Sequence, residues 1–173
     1  VETARELIAK IKAAADCRLK PRALPGIPPK PEKTKAANGA PTRVVGIGVS
    51  TGGPQALEYV LSQLPSDFPG AIAVVQHMPD GFTDMFARRL DELCPLHVKE
   101  AQSGDLLQPG RVLICPGNRH MKVKRLPLGD IAVLCDDPRV NGHRPSVDVL
   151  LRSVADEFRA NAVGVIMTGM GDD

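Results

Sequence analysis

Apolar and polar positions change their period several times along the chain. In "VETARELIAKIKAAA", at the start, Leu7, Ile8, Ile11 and Ala15 recur on one face, which predicts an amphipathic helix. A lone helix of that length is marginal in water, so its apolar face wants a partner. From Arg43 the pattern becomes an alternation. "RVVGIGV" is β-rich, "PQALEYVLSQL" has helical spacing with Pro54 suited to a first turn, and "AIAVVQ" reads as a second buried strand. "GFTDMFARRLDEL" then puts Phe82, Met85, Phe86, Leu90 and Leu93 on one stripe, completing a β-α-β-α start. The middle differs. "LHVKEA", "RVLICP", "MKVKRL" and "IAVLC" are short strands separated by "SGD", "PGN" and "PLGD", a pattern that predicts hairpins or an antiparallel edge. Ser146 is placed to cap a helix over "VDVLLRSVADEF", whose apolar positions are Val147, Leu150, Leu151, Val154 and Phe158, and "AVGVIMT" returns as a buried strand. The economical architecture is an α/β sheet, mostly parallel and covered by helices.

Composition and charge sharpen this outline. With 173 residues, 43% hydrophobic and no Trp, the chain can build one domain on aliphatic packing. The net charge of +2 hides a division: residues 18–43 carry seven Lys or Arg against Glu32, whereas residues 44–173 carry twelve against sixteen acids. The basic stretch has six prolines and few large apolar residues, so it reads as an extended linker over residues 17–42. Without interleaved aromatics it is a poor nucleic-acid surface. No apolar run reaches the roughly 18 to 20 residues that span a bilayer, and no secretion signal opens the chain, which reads as cytoplasmic and without membrane insertion. Cys17, Cys94, Cys115 and Cys135 lie far apart with no C-x-x-C pair, as expected of buried free thiols rather than a metal site or a disulfide framework.

The strand ends carry the unusual residues. Ser50 follows the first apolar strand, His77 the second, and Asp172 and Asp173 the last. Ligands of open α/β sheets sit at the carboxyl edge, and a hydroxyl, an imidazole and a carboxylate there have the composition of nucleophile, base and orienter. Each also has a plain reading. Ser50 could cap a helix, but Gly48-Val49-Ser50-Thr51-Gly52 is G-x-S-x-G, a strand-to-helix elbow that exposes a hydroxyl among small neighbours. His77 could be a satisfied structural histidine; its place beside the Ser50 strand ranks it above His97, His120 and His143. The two aspartates could be surface carboxylates, though the glycines of "TGMG" before them permit tight turns with usable N–H groups.

Rival site classes fit less well. A dinucleotide fingerprint wants G-x-G-x-x-G, and Gly52 comes one place late for it. A P-loop needs Gly-Lys-Ser/Thr, and no lysine lies between Gly46 and Lys99. The α/β-hydrolase fold shares the elbow but orders its triad serine, acid, histidine, and here no histidine follows the final aspartates.

"GIGVSTGGP", "VVQHMP", "PGNRHM", "HRPSVDVLLRSVA" and "MTGMGDD" together resemble, in order, the motifs of the catalytic domain of the chemotaxis protein-glutamate methylesterases, the CheB family. The resemblance implies a doubly wound, mostly parallel α/β sheet with helices on both faces and an antiparallel hairpin region. It implies that residues 43–173 are the methylesterase domain, incomplete at its C-terminus, and that residues 1–16 are the end of a preceding receiver-type domain or linker helix. Position by position it makes Ser50 the nucleophile, His77 the general base and Asp173 the acid, with Asp172 in a variable place. Thr51, Gly52 and the Met170 backbone N–H become candidates for oxyanion or substrate binding. The implied activity is hydrolysis of glutamyl methyl esters, and deamidation of selected glutamines, on the cytoplasmic helices of methyl-accepting chemotaxis receptors, with no metal and no organic cofactor. The implied partners are those receptors, an N-terminal receiver domain and its phosphodonor kinase; the complete protein is expected to be a monomer. Two alternatives stand beside this: a methylesterase-like hydrolase acting on another signalling protein, and a non-catalytic docking module. Because the matching acid is the terminal residue, it is expected to fray unless something ties it down.

Overall fold

A computed structural model describes residues 32–33, 39–170 and 172–173. The helix expected over residues 1–15, Cys17 and nearly all of the linker lie outside these. Seven strands and three α-helices follow in the order β1 (Val44–Val49), α1 (Gly53–Gln63), β2 (Ala71–Gln76), α2 (Thr83–Leu93), β3 (His97–Glu100), β4 (Arg111–Ile114), β5 (His120–Lys124), β6 (Ile131–Cys135), α3 (Val147–Phe158) and β7 (Ala162–Ile166), with a single 3-10 turn at Arg159–Asn161 before β7. Five strands form one sheet in the order β3-β4-β2-β1-β7, with every pairing parallel. The chain winds from β1 outward through β2, then returns to lay β7 on the other side of β1. That reversal opens a crevice at the carboxyl ends of β1 and β7.

The strand pleat divides the core between two faces. Along β2, Ala71, Ala73 and Val75 join a cluster with Leu150, Val154 and Phe158 of α3, while Ile72 and Val74 join one with Leu57 and Leu61 of α1 and Leu90 of α2. Helices therefore cover both faces, as the near-continuous apolar strands require. The helix α1 begins at Gly52 with no side-chain cap. Burying Leu57 and Leu61 completely, at roughly 1.5–3 kcal/mol each, holds it more firmly than the ~1 kcal/mol a cap contributes.

The approach of α3 is governed by two glycines of β1. A side chain on Gly46 would come within 2.8 Å of the Leu151 Cδ2 methyl, and one on Gly48 within 2.1 Å of Val147 Cγ1. Only a strand stripped on that face lets α3 lie this close. Its first residues, Ser146 and Val147, thereby reach the end of the strand that carries Ser50. Ser146 caps the helix as its position predicts, with Oγ accepting from the Val149 N–H at 3.3 Å.

Three expectations need correction. "LHVKEA" and "RVLICP" are not hairpin strands: they form β3 and β4 of the parallel sheet, in register from His97↔Arg111 to Glu100↔Ile114. Only β5 and β6 pair antiparallel, and Met121, Val123 and Ala132 of that hairpin pack under α3. Short length and Gly-Pro punctuation do not encode pairing direction. The second correction concerns α2, where Phe82 and Met85 are exposed. The buried stripe is Thr83, Phe86, Ala87 and Leu90, because Phe82 precedes the first helical turn and Met85 falls off the i, i+3, i+4, i+7 row. The third concerns β7. It is an edge strand among the described residues, paired with β1 alone, and its Ile166 is 73% exposed. Cys94 and Cys115 are buried free thiols, and Cys135 is half-buried. Among the described residues, no helix is long and apolar enough to cross a membrane.

Candidate active site

Ser50 leaves β1 in a turn held by backbone bonds from both sides. Its N–H donates to Thr168 O at 2.9 Å, and its own carbonyl accepts from Gly53 N at 2.8 Å. Gly52 takes a positive φ of 77° at the N-cap of α1, a conformation that suits glycine. Glycine is also demanded at Gly169, where a Cβ would lie 2.8 Å from Ser50 Cβ. Glycines at 52 and 169 thus flank Ser50 with bare backbone, which leaves room beside its hydroxyl. Ser50 is not the helix cap; Oγ points to His77, 3.2 Å from Nδ1.

His77 follows β2, and its N–H continues the ladder to Val49 O at 3.1 Å, so the two strand ends bring serine and imidazole together. The other ring nitrogen, Nε2, lies 3.0 Å from Asp173 Oδ2. One tautomer satisfies both contacts: Nε2–H donates to the carboxylate and Nδ1 accepts from the Ser50 hydroxyl. The ring is only 15% exposed along its side chain, which limits competition from water.

Asp173 is tied down by hydrogen bonds to the start of α3 and to His77. Its side chain is 1% exposed. Oδ1 accepts from Ser146 Oγ at 2.5 Å, and Oδ2 accepts from the Val147 N–H at 2.7 Å as well as from His77. Burial alone pushes this carboxyl up, but the hydrogen bonds from Ser146, the Val147 N–H, His77 and the Asp148 N–H outweigh it and hold the pKa below the usual carboxylate value. The N-terminal end of α3 adds a favourable field for the anion. Asp172, next to it, is exposed.

The remaining residues picked out in the sequence are distributed around these three. A cleft of about 240 Å³ is lined by Ser50, His77 and Asp173 together with Val147 and the segment from Ile166 to Met170. Met170 lies on it and is 78% exposed. Thr51 is exposed at the turn, where its carbonyl accepts from Thr168 Oγ1 at 3.0 Å. Neither Thr51 nor Gly52 lines the cleft.

Four supporting residues escaped the reading of the sequence. Gln76, 3% exposed, donates from Nε2 to the carbonyls of Ser50 at 3.0 Å and His77 at 3.1 Å, bracing both strand ends with one amide. His120 is fully buried; its Nε2 donates to Pro138 O at 3.1 Å, and its Nδ1 accepts from the Ser146 N–H at 3.2 Å. Ser146 was read as a cap only, not as a partner of the acid. His143 stacks on His77. The motifs "VVQHMP", "PGNRHM" and "HRPSVD" contain these residues, but nothing local in them says which neighbour each meets.

A parallel α/β sheet with a hydroxyl, an imidazole and a buried carboxylate in one hydrogen-bonded row at its carboxyl edge is the architecture of a serine-hydrolase type of site. The chain belongs to the CheB methylesterase family, whose sequence profile matches residues 45–173. It is 58% identical over 98% of its length to a protein-glutamate methylesterase/protein-glutamine glutaminase of Koribacter versatilis, and 48% identical over its full length to one of Chromobacterium violaceum. The chain spans about half the length of these relatives, 49% and 52% respectively. The crystal structure of the CheB methylesterase catalytic domain of Thermotoga maritima superposes with a TM-score of 0.73 at 43% identity, over 76% of this chain and 69% of that one.

Proposed function

We propose that this chain carries the catalytic machinery of a protein-glutamate methylesterase and protein-glutamine glutaminase acting on methyl-accepting chemotaxis receptors in the cytoplasm. The observation that carries the reading is the unbroken row from Ser50 Oγ through His77 to Asp173, at 3.2 and 3.0 Å. Ser50 is the nucleophile. As its oxygen attacks the glutamyl ester carbonyl, Nδ1 of His77 takes the proton, and the imidazolium is held by the ionised Asp173 through Nε2–H. Collapse of the tetrahedral intermediate expels methoxide, which leaves as methanol with that proton, or ammonia where the substrate is a glutamine. Water, deprotonated by His77, then splits the glutamyl-serine ester and restores the hydroxyl. The Met170 N–H, on the wall of the cleft, is proposed to face the developing oxyanion, whereas Thr51 and Gly52 shape the turn that carries Ser50.

The same reading makes residues 43–173 the catalytic domain, residues 17–42 a linker and residues 1–16 the end of a receiver-type domain that a kinase phosphorylates. Support comes from the names and greater length of the relatives. The test is methanol release from methylated receptor by the intact protein and its Ser50→Ala variant. Loss on the order of 10⁴-fold to 10⁶-fold with an unchanged melting temperature is expected. A variant within tenfold of the parent removes Ser50 from the mechanism, and a parent that releases no methanol leaves the docking-module alternative.

A further inference from the structure

His143 is not a member of the Ser50–His77–Asp173 row, yet its imidazole lies flat against that of His77. The ring centroids are 4.0 Å apart, and the planes differ by 2°. The residue reaches this position from a loop that is unusually well held. Val140 and His143 exchange backbone hydrogen bonds of 3.1 and 2.8 Å across Asn141 and Gly142. Both central residues have positive φ, 49° and 78°, as a type I′ turn requires. On the next residue, Arg144 donates to Asn118 Oδ1 at 2.9 Å and to the Asp136 and Asp137 carbonyls at 3.1 and 3.3 Å. The His143 ring is therefore presented by a clamped backbone.

The relay depends on one torsion. The Nδ1 lone pair and the Nε2–H of an imidazole lie in the ring plane, so rotation about Cβ–Cγ turns Nδ1 from Ser50 and Nε2 from Asp173 together. The two bonds resist that rotation in the resting state. During turnover the Nε2–H bond to Asp173 strengthens as the ring takes up charge, but the Nδ1–H must pass from the serine oxygen to the leaving group, so that side of the ring has no fixed partner. A parallel ring against the face blocks the swing throughout the cycle. It also meets the imidazolium with a π face, and a cation over an aromatic face is favoured where water is scarce.

We infer that His143 is a positioning residue for the hydrolase reaction: its stacked ring locks the plane of His77 and stabilises the imidazolium. The inference rests on the proposed roles of Ser50 and His77, so its test begins with a reporter of serine nucleophilicity that does not depend on the ester substrate. In the intact protein, the rate of Ser50 labelling by a fluorophosphonate and the kcat and KM for methanol release are measured for the parent and for His143→Ala, His143→Phe and His143→Gln, each with a melting temperature. In His143→Ala, labelling rate and kcat are expected to fall together by roughly fivefold to thirtyfold with KM little changed, the size of a lost aromatic or cation–π contact. His143→Phe, which keeps a flat ring but no titratable nitrogen, is expected to recover most of both. His143→Gln, which keeps hydrogen bonding but no ring, is not. Labelling within twofold of the parent in His143→Ala, an equal loss in the Phe and Ala variants at unchanged melting temperature, or rescue by Gln instead of Phe would each overturn the assignment. If the parent itself is not labelled at Ser50, the reading of the site fails first, and the role given to the stack goes with it.

Discussion

Ser146 and Asp173 are joined by a 2.5 Å hydrogen bond from hydroxyl to carboxylate, so the residue that starts α3 also holds the acid that orients His77. The hydroxyl oxygen accepts from Val149 N at the same time. One side chain thereby couples a helix cap to the charge state of the site.

Two substitutions separate those roles. Ser146→Ala is expected to cost about 1 kcal/mol of stability through the lost cap. It should also slow methanol release, because Asp173 loses one of the donors that keep it ionised. Ser146→Asp can still cap, but it sets a second carboxylate against Asp173. Its stability should fall below that of Ser146→Ala, because Ser146 is fully buried against Asp173, and the acidic limb of its pH–rate profile should move to higher pH. Urea melts and pH–rate profiles of both variants check the pair; identical profiles in parent and Ser146→Asp would break the coupling.

Asp173 also predicts how stability depends on pH. Its folded pKa lies below its unfolded value, since the hydrogen bonds outweigh burial. The folded state therefore gains stability from it that is complete above the unfolded carboxyl value of about 3.9 and is lost as pH falls through the lower folded value. Asp173→Asn should remove that contribution and flatten the acid limb. Denaturation midpoints of both proteins, measured from neutral pH down through the carboxylate range, give the comparison; limbs of equal steepness would contradict it.

Two glycines near the site should respond differently to alanine. Gly48→Ala puts a methyl 2.1 Å from Val147 Cγ1, wedging α3 off the sheet; overpacking of this kind costs roughly 1–3 kcal/mol. Both melting temperature and turnover should fall. Gly169→Ala presses on Ser50 Cβ from a loop, at 2.8 Å, so turnover should fall more than stability. The ratio of kcat loss to melting-temperature loss in the two variants is the readout, and it should be larger for Gly169→Ala.

Gln76→Leu keeps volume but removes the amide donor shared by the carbonyls of Ser50 and His77, leaving the Ser50 carbonyl its bond from the Gly53 N–H. Losing that donor is expected to cost about 1–3 kcal/mol. Slower fluorophosphonate labelling of Ser50 should accompany the lost stability, because the amide braces both residues. The Oε1 atom of Gln76 is buried and has no hydrogen-bond partner among the described residues, whereas its Nε2 serves both carbonyls. Labelling at the parental rate in a destabilised Gln76→Leu would reduce it to a packing role.

Much of this was legible in the order of residues. Short apolar runs located β1 and β2 and a 3.6-residue period located α1 and α3, because burying apolar side chains is a local demand on each element. The elbow at Ser50, the strand-end position of His77 and the cap at Ser146 are equally local, since turn and cap chemistry need particular residues at particular offsets. Pattern placed Asp172 and Asp173 at the same edge, and the choice between them came from family resemblance; the hydrogen bonds of Asp173 and the exposure of Asp172 are tertiary facts.

What only the tertiary structure decided concerns partners distant in the chain. The parallel direction of β3 and β4, the edge position of β7, the brace of Gln76 and the stack of His143 on His77 all depend on which surfaces meet after the strands are ordered. Gly46 and Gly48 show the reason most directly. In the sequence they read as a failed dinucleotide fingerprint. In the fold they are the bare strip of β1 that admits α3, and the closeness of that helix, set by the absent side chains, brings Ser146 and Val147 to the acid.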